Sequence, residues 1–96
     1  MPYYIRLVSF TVEGLKEVKN FQEGRAEFMN ITKKLGIKVV AEYVTTGAYD
    51  VITILEAPDY TSILKLSAET GSKGRTTVQT LNAIPAEDFE NIAKSV

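Results

Sequence analysis

The 96 residues include no cysteine, no histidine and no tryptophan. Without cysteine there is no disulfide framework and no thiolate metal site, and nothing in the chain calls for an oxidising compartment. The lack of histidine removes the commonest general base near neutral pH and the commonest metal ligand. Any chemistry therefore falls to Asp, Glu, Tyr, Lys, Arg, Ser or Thr. An excess of one charge is missing too: 11 Lys and Arg stand against 12 Asp and Glu, a net charge of -1. That balance supplies no general pull toward nucleic acid or an anionic membrane surface. No apolar run reaches spanning length, and the opening MPYYIRLVSF lacks the basic-then-apolar layout of a signal peptide. The expected location is cytoplasmic, with no cofactor and no metal assigned.

What is present is the composition of one globular domain over residues 1–96, 45% hydrophobic and 24% charged. A chain of this length buries only about 60 to 65% of the surface its unfolded form exposes, so a partner adds stability that the core alone does not supply.

The aromatic and β-branched stretch YYIRLVSF, residues 3–10, predicts a strand. Thr11 follows as a helix cap with Glu13 at the positive end, and Leu15 and Val18 form a first apolar stripe. Phe28, Ile31 and Leu35 form a second stripe out of phase with the first, so a break is expected in NFQEG, residues 20–24, with a longer helix over 25–35 and Gly36 as its cap. IKVVAEYVTT, residues 37–46, alternates as a strand with Ile37, Val39, Ala41 and Tyr43 on one face. Gly47-Ala48 suits a two-residue hairpin with glycine first, leading into a strand over 49–56. Pro58 and Asp59 open a helix over 60–70, with Gly71 as its cap. RTTVQTLNA supplies a last strand, and Pro85 starts a closing helix with Phe89, Ile92 and Val96 on one side. The order β-α-β-β-α-β plus one helix is the ferredoxin-like α+β plan: a four-stranded antiparallel sheet with its two main helices on one face.

A sheet covered on one side alternates apolar and polar residues so that its far side meets water. Here both faces are apolar. With Thr46 opposite Tyr49, one hairpin face carries Tyr43 against Ile52 and Ala41 against Ile54, and the other Val44 against Val51 and Val40 against Leu55. The first strand splits into Tyr3, Ile5 and Leu7 against Tyr4, Val8 and Phe10, with Arg6 the exception. Four strands present some 350 Å² of face, roughly the largest apolar patch a monomer tolerates. Two readings remain: a second copy covers the far face sheet to sheet, or the closing helix folds across part of it. The dimer is favoured, because one short helix covers only a portion of a sheet.

Gly47, one residue, then Tyr49-Asp50, running into an apolar strand that ends in Glu56-Ala57-Pro58-Asp59, resembles the GYD-domain family. The opening YYIRLVSFTVEGLKEVK and the closing VQTLNAIPAEDFENI are similar to it as well, so the resemblance spans nearly the whole chain. It implies a ferredoxin-like fold of the dimeric α+β barrel type and brings no catalytic residue to carry over. The wider superfamily includes small-molecule-sensing domains, isomerases and cofactor-independent monooxygenases, an analogy of fold alone.

The expected topology gathers Asp50, Tyr49, Ser9, Thr11 and Arg75 at one sheet end. Tyr43, Tyr49, Asp50 and Arg75 are the candidate residues for gripping a small polar organic ligand. For Asp50 the competing reading is local: its carboxylate accepts backbone N–H bonds, or pairs with a cation, and fixes the register beside the turn. The tyrosines equally serve as buried area with their hydroxyls at the rim. TGSKGRTT lacks phosphate-loop spacing and follows a helix C-terminus, the wrong end for an anion. The acidic residues form no metal-ligand pattern. YYIRL is similar to the first-strand motif of RNA-recognition modules, but GAYDVITI lacks the basic and paired aromatic positions that base stacking needs. The sequence thus favours a homodimer that binds a small organic ligand, over a cofactor-independent isomerase or monooxygenase and, third, a structural or interaction module.

Overall fold

A computed structural model describes the chain from Met1 to Val96. Strands β1 (Tyr3–Phe10), β2 (Lys38–Val44), β3 (Val51–Glu56) and β4 (Thr76–Ala83) form one antiparallel sheet in the order β2-β3-β1-β4. Helices α1 (Val12–Lys16), α2 (Phe21–Lys34) and α3 (Tyr60–Gly71) connect the strands, and α4 (Ala86–Lys94) follows β4. This is the ferredoxin-like arrangement expected from the element order. The core lies between the sheet and α2 and α3, where Tyr4 and Leu55 meet Phe28, Ile37, Ala57, Ile63 and Leu66. Only 13 of the 96 residues are buried, so a single chain has a thin core for its size.

Strand faces separate cleanly. Along β1 the even positions Tyr4, Arg6 and Val8 are buried under the helices, and in β3 Val51, Thr53 and Leu55 are buried with them. Ile5, Leu7, Ile52 and Ile54 point the other way, cross-strand neighbours at the centre of the open face. Leu81 stands opposite Ile5, and Tyr43 opposite Ile52. Tyr43 is 62% and Leu81 40% exposed. The far side of the sheet is therefore apolar at its middle, as the alternation predicts.

The closing helix does not cover it. No residue of α4 is buried, and its apolar side stands out with Phe89 58% and Ile92 49% exposed. The molecule is accordingly long and flat, 50 × 30 × 18 Å.

Several local expectations shift. The break between the first two helices falls at Glu17–Asn20, where a 3-10 turn spans Val18–Asn20, and α2 then runs unbroken through Gly24. Gly24 costs α2 about 1 kcal/mol of propensity, but burial of Phe28 and Thr32 on the same helix outweighs it. Leu15 and Val18 do not face the core. The buried residue of α1 is Gly14, packed so closely that an added Cβ would lie 2.1 Å from the Arg75 carbonyl oxygen. In β2 a bulge lies between Val39 and Ala41, so Val39, not Val40, opposes Leu55, while Ala41 and Tyr43 keep their expected partners. The bulge thus separates Val39 from the face it was expected to share with Ala41 and Tyr43.

At the hairpin the ladder ends in a bond from Thr45 N–H to the Asp50 carbonyl at 2.8 Å, leaving a four-residue tip of Thr46–Tyr49 in place of the two-residue turn. Gly47 holds φ +108° in that tip. Gly71 is the last residue of α3 rather than its cap; Gly74, at φ +68°, makes the turn instead. The caps at Thr11 and Asp59 form as read, their side chains accepting the backbone N–H of Gly14 and Ser62.

Candidate functional site

The sheet end containing the hairpin brings the backbones of Ser9, Thr11, Asp50 and Arg75 together, but their side chains engage local partners. Asp50 N–H donates to the Val8 carbonyl at 2.8 Å, and its Oδ2 accepts the Phe10 N–H at 2.8 Å. The carboxylate thereby takes the acceptor position that a continuing strand would fill. Ser9 Oγ donates to the Ala48 carbonyl at 3.3 Å and Thr11 Oγ1 to that of Gly74 at 2.8 Å. The Tyr49 hydroxyl donates to Gln79 Oε1 at 2.7 Å. Arg75 reaches Glu17 at 3.5 Å and Glu27 at 3.4 Å. Tyr43 stands apart from that cluster, exposed on the open sheet face. Glu56 lies 3.6 Å from Lys38 of its own chain.

A second group lies under the helices. The register aligns Glu42 with Thr53, Thr53 with Arg6, and Arg6 with Thr80, so a polar row crosses all four strands. In β1, β2 and β3 the flanking positions in register are apolar: Val44, Val51 and Val8 on one side, and Val39, Leu55 and Tyr4 on the other. The signal was visible as Arg6 breaking the alternation of β1. Its alignment with Glu42 depends on strand register and on the bulge.

Above this row, between the sheet and α1, α2 and α3, opens a cavity of about 150 Å³. Arg6, Val8, Phe28, Ile31, Val51 and Thr70 contribute to its walls. Arg25, Lys73 and Arg75 also line it, with Glu17, Glu27 and Glu42. Each of these carboxylates already has a cation: Glu42 accepts from Arg25 Nε at 2.6 Å, Glu27 pairs with Lys73 and Arg75, and Glu17 pairs with Arg75. Glu42 also accepts from the buried Thr53 hydroxyl at 3.1 Å.

Arg6 differs from the other cations. It is 5% exposed and forms no salt bridge. Its Nη2 donates to Thr70 Oγ1 at 2.8 Å, its guanidinium lies 4.9 Å from the centre of the Phe28 ring, and its buried Nε has no hydrogen-bond partner. Burial lowers its pKa to about 10, against the smaller opposing field of Glu42. An arginine stays protonated at any working pH, so this lowering expresses the cost of desolvating a charge rather than a titration. Phe10 and Phe21 pack edge to face at 6.5 Å, and both line the cavity.

No cluster of three or more Asp or Glu residues is placed to hold a metal ion, and no helix is long and apolar enough to cross a membrane.

Comparison with known proteins fits this architecture. A curated relative from Thermus thermophilus, named "Glutamine synthetase and cystathionine beta-lyase binding protein", is 32% identical over 90 residues, spanning 93% of this chain and 95% of the relative. No solved structure gives a significant match. A family model described as the GYD domain matches residues 4–93, and with the ferredoxin-like sheet and the Gly47, Tyr49 and Asp50 hairpin in place, the chain belongs to the GYD domain family.

Proposed function

We propose that the protein is a homodimeric interaction module: two copies bury their open sheet faces against each other, and the pair binds a metabolic enzyme. The observation that carries the enzyme partner is the name of the Thermus thermophilus relative, taken with an alignment that covers nearly the full length of both chains. The surface supports it. Ile5, Leu7, Ile52, Ile54 and Leu81 make a continuous apolar field, which a lone chain leaves partly open to water. A second copy covers it without further residues, by the symmetric route that most small oligomers use. Two other apolar edges remain for an enzyme: Leu15, Val18 and Phe21 beside α1, and Phe89 with Ile92 on α4. We place this association in the cytoplasm, where a metabolic enzyme is met.

The test mixes the purified protein with glutamine synthetase and with cystathionine β-lyase from the same organism and follows co-elution on size exclusion. A complex with either enzyme supports the reading. Separate elution of both, with the protein folded, removes it.

A second reading, small-molecule binding, draws its support from the cavity over Arg6. The site residues proposed for it from sequence, Tyr43, Tyr49, Asp50 and Arg75, divide between different surroundings, and only Arg75 lines that cavity. Isomerase or monooxygenase chemistry has less support, because each carboxylate around the cavity is already engaged by a cation of the same chain.

A further inference from the structure

We propose that the cavity between the sheet and α2 binds a small organic monocarboxylate, whose carboxylate docks on the Arg6 guanidinium and whose apolar body lies against Phe28, Ile31 and Val8. The inference rests on the small-molecule reading above and adds to it the ligand class and the recognising residue.

Three observations carry it. Arg6 is buried, has no carboxylate partner and keeps one donor without an acceptor, although native proteins pair nearly all such groups. The guanidinium is held at Nη2 by the Thr70 hydroxyl and faced by the Phe28 ring, so its orientation is fixed before anything binds. Charge sets the valence. Four cations and three carboxylates line the cavity, and pairing the carboxylates with Arg25, Lys73 and Arg75 leaves Arg6 as the one uncompensated charge. One negative charge balances that site; a phosphate dianion would exceed the balance and meet Glu42. Size sets the rest. A cavity near 150 Å³ holds a body of roughly benzene dimensions, and Phe28, Ile31, Val8 and Val51 give it apolar walls.

The experiment titrates the full chain with benzoate, with benzamide as its neutral isostere and with inorganic phosphate as a bare anion, following by NMR the backbone amides of Val8, Phe28 and Val51 in every variant and, in the wild type, the Arg6 Nε–H resonance. Benzoate is expected to shift that resonance saturably below about 10 mM, with benzamide at least about tenfold weaker and phosphate without effect. Arg6→Met is expected to fold and lose the benzoate response, and Arg6→Lys to keep part of it. Should Arg6→Met fail to fold, the wild-type resonance and Arg6→Lys still decide. Equal binding of benzamide overturns the carboxylate assignment while leaving a small-molecule cavity; silence toward both overturns the cavity reading as well. A response to phosphate alone, or a benzoate response that survives in Arg6→Met, also overturns the proposal.

Discussion

Asp50 and Phe10 are joined across the β1–β3 boundary, the Asp50 carboxylate accepting the Phe10 backbone N–H at 2.8 Å. The acid at the mouth of an apolar strand is thereby explained in structural terms. It finishes the ladder where the hairpin leaves the sheet and lets β1 run on to Phe10, which meets Phe21 at the start of α2. Asp50→Ala leaves that N–H without its acceptor and should lower unfolding stability by about 1 to 3 kcal/mol in urea titrations, with Asp50→Asn losing less because its amide oxygen still accepts. Binding of the enzyme partner should be unchanged in both folded variants.

Gly14 and the Arg75 carbonyl hold α1 against the start of β4, and Thr11 N–H donates to the same carbonyl at 3.0 Å. A methyl at position 14 meets backbone, which cannot swing aside. Gly14→Ala should destabilise by about 1 to 3 kcal/mol despite alanine's better helix propensity, whereas Gly24→Ala, with open space around it, should stabilise by about 0.5 to 1 kcal/mol. Thermal and urea unfolding of the two variants check the opposite signs.

Arg6 carries a burial cost that the chain does not fully offset. Replacing it with a flexible apolar side chain removes the charge and fills similar volume, so Arg6→Met should raise stability in the ligand-free protein by about 1 to 3 kcal/mol. Urea midpoints at unchanged slope measure this.

The Asp59 carboxyl sits below its ordinary range, held there first by the Ser62 backbone N–H and then by the Ser62 hydroxyl. Because its folded pKa lies below the unfolded one, this contribution is present in full above the unfolded value, about 3.9, and disappears as pH falls through the folded value. Asp59→Asn keeps the cap without the charge. The gap between the melting temperatures of the wild type and Asp59→Asn should therefore change only in that acid range, and hold constant from about pH 5 to 7.

The alternation of the first strand and the N-terminal helix caps were legible because each depends on neighbours within a few residues. Thr11 and Asp59 cap as read, and the two faces of β1 divide at the expected positions. The bulge at Val40 was not legible: the apolar run Val39-Val40-Ala41 accepts either register, and only pairing with β3 selects one. Leu15 and Val18 have helical spacing, yet the close approach of Gly14 to Arg75 turns them outward. Arg6 was visible as an exception, but its setting was not, because Thr53, Glu42, Phe28 and Thr70 come from four other elements. The helical period of α4 was equally plain, while its standing with no residue buried is a fact of tertiary structure.

The central claim is that the open sheet face is covered by a second copy. Sedimentation equilibrium of the wild-type chain at about 10 μM, beside Ile52→Lys, tests it most directly. A sheet-to-sheet dimer gives a wild-type mass twice the 10.6 kDa of one chain and a folded single-chain mass for Ile52→Lys, whose new charge lies between Leu7 and Tyr43. A wild-type chain that is folded and sediments at 10.6 kDa would contradict it.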